Sequence, residues 1–203
     1  MRADFPSMIY PAMPEPDDRA ILRYAGMRGD AAGEILELLG DVKDELLPAI
    51  KAVALFRVYP LFTSGDELDL GFAKVTSRSL SNHLRGCTSV CVLLCTVGIA
   101  VDRYISKYER ISPSKAHMAS AVGTERVEAS ADSFSEFLRF EAGKRSLVTT
   151  PRFSPGYGDL PLSLEKDILG CLNAHKYAGV ALTDAMLMSP TKTVSALIGL
   201  YRS

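Results

Sequence analysis

Arg152 stands in residues 149–162, TTPRFSPGYGDLPL, a stretch suited to holding one cationic fork rigidly against a polar ligand. Pro151, Pro155 and Pro161 restrict φ and remove backbone donors, while Gly156 and Gly158 permit backbone conformations and a close ligand approach that a Cβ forbids. A loop of that composition holds its shape before anything binds, so little interaction energy goes into ordering it. Arg152 can then offer its planar guanidinium to a carboxylate or phosphate, with Tyr157 nearby to stack or hydrogen-bond. The same residues also suit an ordinary Pro/Gly turn whose arginine makes a surface ion pair, and composition leaves both readings open.

Glu128, Asp132 and Glu136 recur every fourth residue and so line one face of a helix, as a solvated stripe or as acceptors for a ligand. Cys87, Cys91 and Cys95 share that spacing, which is neither C-x-x-C nor C-x3-C-x2-C. Residues 89–95, SVCVLLC, read instead as a buried strand in which cysteine serves as a small apolar residue. Cys171 is assigned to packing, and in a reducing compartment no disulfide is expected. His83, His117 and His175 have no carboxylate or nucleophile at a recognisable motif spacing. Residues 112–115 and 189–192 both fit S-x-x-K, but neither comes with S-D-N and K-T-G elements. Neither a G-x-G-x-x-G turn after a first strand nor a Walker A loop occurs, which argues against a Rossmann-type methyltransferase and a P-loop enzyme.

Arg152, Gly156 and Tyr157 form an R-x-x-x-G-Y arrangement that resembles the S-adenosylmethionine-binding motif in the activation domain of cobalamin-dependent methionine synthase. Downstream, residues 182–200, LTDAMLMSPTKTVSALIGL, are similar to that family's closing L-T-E-S-x-x-M-x-P-x-x-S-V-S segment. Upstream, residues 21–26 (ILRYAG), Leu70-Gly71, residues 84–87 (LRGC) and residues 95–98 (CTVG) resemble the short, free-standing version of that domain found in some bacteria. The resemblance spans nearly the whole chain and is strongest from Arg152 onward.

The resemblance implies S-adenosylmethionine as the ligand, with Arg152 meeting its carboxylate. An acidic residue of the long helix would take the ammonium and ribose; Glu136 fits that place best, with Glu128 as substitute. Main-chain groups around Ser154 and Pro155 would meet the adenine edge, and Gly156 and Tyr157 complete the motif. No residue is assigned to the family's N-terminal acidic contact or to its distal tyrosine. The sequence has no cobalamin-binding D-x-H-x-x-G segment, so cobalamin would be reached only through a partner protein. The implied role is reactivation of a cobalamin-dependent methionine synthase, with flavodoxin or another external donor supplying an electron, as a component of that methyltransferase rather than an enzyme active alone. A ligand-independent docking or assembly module for a corrinoid methyltransferase is the alternative.

The elements that must position these residues follow from pattern. A chain of 203 residues with 47% hydrophobic residues can bury a real core. Lys+Arg 23 against Asp+Glu 24, with no polybasic run, supply no electrostatic footprint for nucleic acid or an anionic membrane. The most apolar stretch, residues 90–101, is too short to span a bilayer, and the N-terminus lacks the organisation of a secretory signal, so a cytoplasmic location is expected. Asp17 or Asp18 can cap a short helix to Met27, and Asp30 a longer one over residues 31–51. Residues 53–62 and 68–75, separated by Ser64-Gly65-Asp66, read as a β-hairpin. Helices are expected over residues 77–84, 98–108, 114–142 and 164–176, and strands over 89–95, 180–186 and 193–200. No strand-helix alternation or internal repeat occurs, so the expected fold is α+β. It is expected as a single domain over residues 1–203, helical to about residue 52, with a mixed, largely antiparallel sheet and flanking helices.

Overall fold

The computed structural model describes residues 6–29 and 31–202. After strand β1 (Ser7–Ile9), the Asp17 carboxylate accepts from the amides of Arg19 and Ala20 and caps helix α1 (Asp18–Tyr24). Helix α2 (Gly33–Leu46) ends in a 3-10 turn at Leu47–Ala49, and its expected cap, Asp30, lies outside the described residues. Strand β2 (Val53–Pro60) precedes a small sheet of β3 (Phe62–Ser64), β4 (Glu67–Asp69) and β5 (Lys74–Thr76). Helix α3 (Arg78–His83), capped by Ser77, leads to β6 (Ser89–Thr96) and then α4 (Ala100–Tyr108). Helix α5 (Pro113–Gly143) opens on Pro113, whose missing amide hydrogen costs nothing in a first turn. Strand β7 (Leu147–Thr149), helices α6 (Leu164–Cys171) and α7 (Ala174–Ala178), the short pair β8 (Ala181–Leu182) and β9 (Met188–Ser189), and β10 (Thr193–Arg202) complete the chain.

Five strands pair antiparallel in the order β1-β2-β6-β10-β7. Side chains alternate across this sheet, so β6 sends Cys91, Leu93 and Cys95 against Ala131, Phe134 and Leu138 of α5. Val90, Val92 and Leu94 face the other way, toward Leu164 and Ile168 of α6. Cover on both faces is why this strand is a continuous apolar run instead of an alternating one. Ile21, Leu39, Val42, Val101 and Val122 form a further core, in which α1, α2 and α4 pack on the first half of α5. The architecture is the expected α+β class with an antiparallel sheet and flanking helices.

Three expected elements are rearranged. The hairpin of residues 53–62 with 68–75 does not form: β2 pairs with β1 and β6, and the Ser64-Gly65-Asp66 turn joins β3 to β4 instead. The chain leaves the large sheet only after Leu61, whose amide still donates to the Thr88 carbonyl in the β2–β6 register, and the residues that follow build the separate sheet of β3 to β5. The helix expected over residues 164–176 is split at Asn173, which adopts φ 47°. The strand expected over 180–186 shrinks to β8, because the Thr183 amide closes a turn on the Leu187 carbonyl. Strands β1 and β7, three residues each, are too short to carry a periodic signal.

Candidate ligand-binding site

Strand β7 covers only Leu200–Arg202 of the outer edge of β10, and a single bridge from Phe153 to Leu197 continues the pairing. Beyond that bridge the edge opens, and residues 150–162 fold back along the opening. The Ser154 hydroxyl donates to the Ser195 carbonyl at 2.7 Å, and Phe153 and Leu197 exchange amide bonds of 2.9 and 2.8 Å. Farther along the loop, the Asp159 carboxylate accepts from the Ser77 hydroxyl at 2.5 Å and from the amides of Arg78 and Ser79 at 2.8 and 3.1 Å. The Ser77 hydroxyl first, then the Ser79 amide, hold this carboxyl well below the usual range. His83 Nε2 donates to the Pro151 carbonyl at 2.9 Å while its ring lies 4.9 Å from that of Phe153. The loop is therefore clamped to both β10 and α3, as its composition anticipated.

Between this loop, the β10 edge and α5 lies a cavity of about 830 Å³, within the size range of small-molecule sites. Arg152 lines it, with Nη2 3.0 Å from Glu128 Oε2 and 2.8 Å from Asp132 Oδ1. Ser154, Pro155 and Tyr157 also line it, and Tyr157 is 67% exposed at the rim. Gly156 does not reach the lining; its φ of +88° and its amide bond to the Leu160 carbonyl shape the turn behind it. Glu136 is exposed and lies outside the lining. A four-residue step overshoots a helical turn by about 40°, so Glu136 is rotated about 80° from Glu128. The residues that α5 does present are Glu128, Asp132, Ser135 and Arg139, at steps of four, three and four that stay near one line.

Sequence reasoning did not single out Arg139, Glu165 or Ser195 as site residues. Glu165 is 4% exposed yet lines the cavity, and the Ser195 hydroxyl lies 2.7 and 2.8 Å from its two oxygens. Burial pushes the Glu165 carboxyl up, against the opposing hydrogen bond from Ser195. The available signal was a carboxylate within the apolar stripe of Leu164, Ile168 and Leu172. Nucleophilic chemistry by the central cysteines finds no support, since burial pushes Cys95 up to about 12 and Cys91 still higher. Among the described residues no group of three metal-ligating side chains comes together, and no helix is long and apolar enough to cross a membrane.

No protein-family profile matches the sequence, and no curated protein matches it. Among solved structures, the chain is similar to the crystal structure of the MetH reactivation domain bound to AdoHcy. The TM-score is 0.72, with 16% identity over 98% of this chain and 79% of that one. The chain has that domain's fold. At this identity the likeness speaks to architecture, so the resemblance read from the sequence holds at the level of the whole fold.

Proposed function

We propose that this chain binds S-adenosylmethionine in the cavity beside Arg152 and presents its methyl group for reductive methylation of cob(II)alamin carried by a partner protein. It would thereby reactivate a cobalamin-dependent methionine synthase or a related corrinoid protein. The observation that carries this reading is the convergence of Arg152, Glu128 and Asp132 at one cavity, in the fold of a domain crystallised with AdoHcy.

The amino-acid end of the ligand carries a carboxylate beside an ammonium. Arg152 takes the first and the α5 carboxylates take the second, each through charge-assisted hydrogen bonds. Glu128 and Asp132 supply the acidic role at the cavity, with Glu136 on the adjacent stripe of the same helix. Main-chain groups at Ser154 and Pro155 meet the adenine edge, Gly156 shapes the turn, and Tyr157 offers an aromatic surface at the rim. No nucleophile or general base is required of the protein, because holding the methyl donor over the acceptor makes the transfer nearly unimolecular. The electron comes from an external donor such as flavodoxin. In this reading the protein works in the cytoplasm, with neither nucleic acid nor membrane as a partner.

Calorimetric titration with S-adenosylmethionine and S-adenosylhomocysteine, followed by reconstitution with cob(II)alamin-loaded synthase and a reductant, tests the proposal. The expected result is saturable binding, and methylcobalamin formation that requires S-adenosylmethionine. Absence of binding both alone and with the partner overturns it. The pairing of Arg152 with two carboxylates of its own chain favours a second reading, a docking or assembly module for a corrinoid methyltransferase. Complex formation indifferent to S-adenosylmethionine is its signature.

A further inference from the structure

The cavity wraps the open edge of β10, and its two ends differ in chemistry. At the α5 end stand Glu128, Asp132 and Arg139, with Arg152 reaching across to the acids. At the other end stands Glu165 on α6, whose neighbours Leu164 and Ile168 pack on the sheet face opposite α5. A buried carboxylate is ordinarily matched by a cation or by several donors. Among the described residues Glu165 has neither: no lysine or arginine pairs with it, and its hydrogen-bonding partner is the Ser195 hydroxyl. Arg152 is engaged with Glu128 and Asp132 instead, and Arg139, Lys166 and Asp167 make no contact that compensates Glu165. One hydroxyl donates one hydrogen, so the carboxylate keeps acceptor capacity where it lines the cavity.

A zwitterion is costly to desolvate and a purine much less so. The amino-acid end of an adenosyl ligand therefore stays with the charges of α5, and the base goes toward α6. We infer that Glu165 is a specificity-determining residue, accepting a hydrogen bond from the exocyclic amino group of the bound adenine. Its burial, which raises the cost of the free carboxylate, makes a ligand N–H the compensating partner that the fold itself does not supply. Ser195 is the positioning residue that aims the carboxylate. The inference rests on the S-adenosylmethionine reading above and assigns to it a side chain which that reading leaves unused.

The test compares S-adenosylhomocysteine with S-inosylhomocysteine, in which an oxo group replaces the 6-amino group. The wild-type protein is expected to prefer the adenosyl ligand by roughly tenfold, the worth of one well-placed hydrogen bond. Glu165→Gln brings that preference close to unity, because an amide presents either an acceptor or a donor. Ser195→Ala lowers it in the same direction, whereas Arg152→Ala weakens both ligands without changing their ratio. An unchanged ratio in folded Glu165→Gln and Ser195→Ala overturns the inference and leaves the binding proposal standing. Should Glu165→Gln not fold, Ser195→Ala alone decides. Failure of the wild-type protein to bind either ligand overturns the binding proposal and this inference with it.

Discussion

Arg152 Nη2 lies 2.8 Å from Asp132 Oδ1, so the cation that would receive a ligand carboxylate is held against α5 by an acid of its own chain. Asp132 is 71% exposed, and an ion pair of that kind adds little to folding. Its effect is on the site: the guanidinium is aimed before a ligand arrives, and the acid remains available to an ammonium. Arg152→Ala is accordingly expected to remain folded while losing a charge-assisted contact of about 1.5–3 kcal/mol, a roughly 10- to 100-fold fall in affinity for S-adenosylhomocysteine. 5′-Methylthioadenosine, which lacks the amino-acid end, should bind both proteins alike. Calorimetry with the two ligands checks this, and equal losses for both would remove Arg152 from the carboxylate subsite.

Gly158 is where the binding loop meets α3. It has φ +56°, and a Cβ there would lie 2.5 Å from Ser79 Oγ and 2.8 Å from Ser79 Cβ. Gly158→Ala combines left-handed strain with a clash beside the Asp159 clamp, and is expected to cost about 2–4 kcal/mol in urea denaturation. A loss below about 0.5 kcal/mol would mean that the loop is not pressed against α3 in solution.

Glu165 provides a pH test of its burial. Its carboxyl is raised above the ordinary 4.5, so the folded protein holds this proton to higher pH than the unfolded chain does. The stabilising contribution is fully present below the unfolded value and is lost as pH rises through the folded one. Glu165→Gln removes that loss while keeping an acceptor for Ser195. The variant is expected to melt above the wild type at about pH 8, with the gap closing toward about pH 4. A constant offset across the range would show that Glu165 titrates as an exposed acid.

Cys91 and Cys95 are fully buried, and burial holds both thiols far above the range in which a thiolate forms. A disulfide reagent at about pH 8 is expected to leave both untouched in the folded protein and to label them once it is unfolded. Rapid labelling of either residue under native conditions would place β6 at the surface and contradict the packing of α5 across it.

The local reading succeeded where a residue acts on its immediate neighbours. Asp17, one of the two candidate caps, caps α1, the long helix begins within one residue of its expected start, and the cysteine run is a strand covered on both faces. It failed where a partner distant in sequence decides the outcome. Strand β2 does not fold back on residues 68–75 because it pairs with β6, a contact that no pattern within residues 53–75 records. The acidic stripe on α5 was legible as a stripe, but which members face the site was not, since drift around the helix separates Glu136 from Glu128.

By itself the sequence determined the antiparallel α+β class, the rigid Pro/Gly loop around Arg152, and the family that the chain resembles. These rest on backbone preference and on the spacing of side chains within one element, which are properties of short stretches. Tertiary structure alone decided that Arg152 meets Glu128 and Asp132, that Arg139 joins them, and that Glu165 is buried against Ser195 at the other end of the cavity. The reason is geometric: a site at the open edge of β10 is assembled from α5, the loop and α6, whose relative positions are set by packing across the sheet.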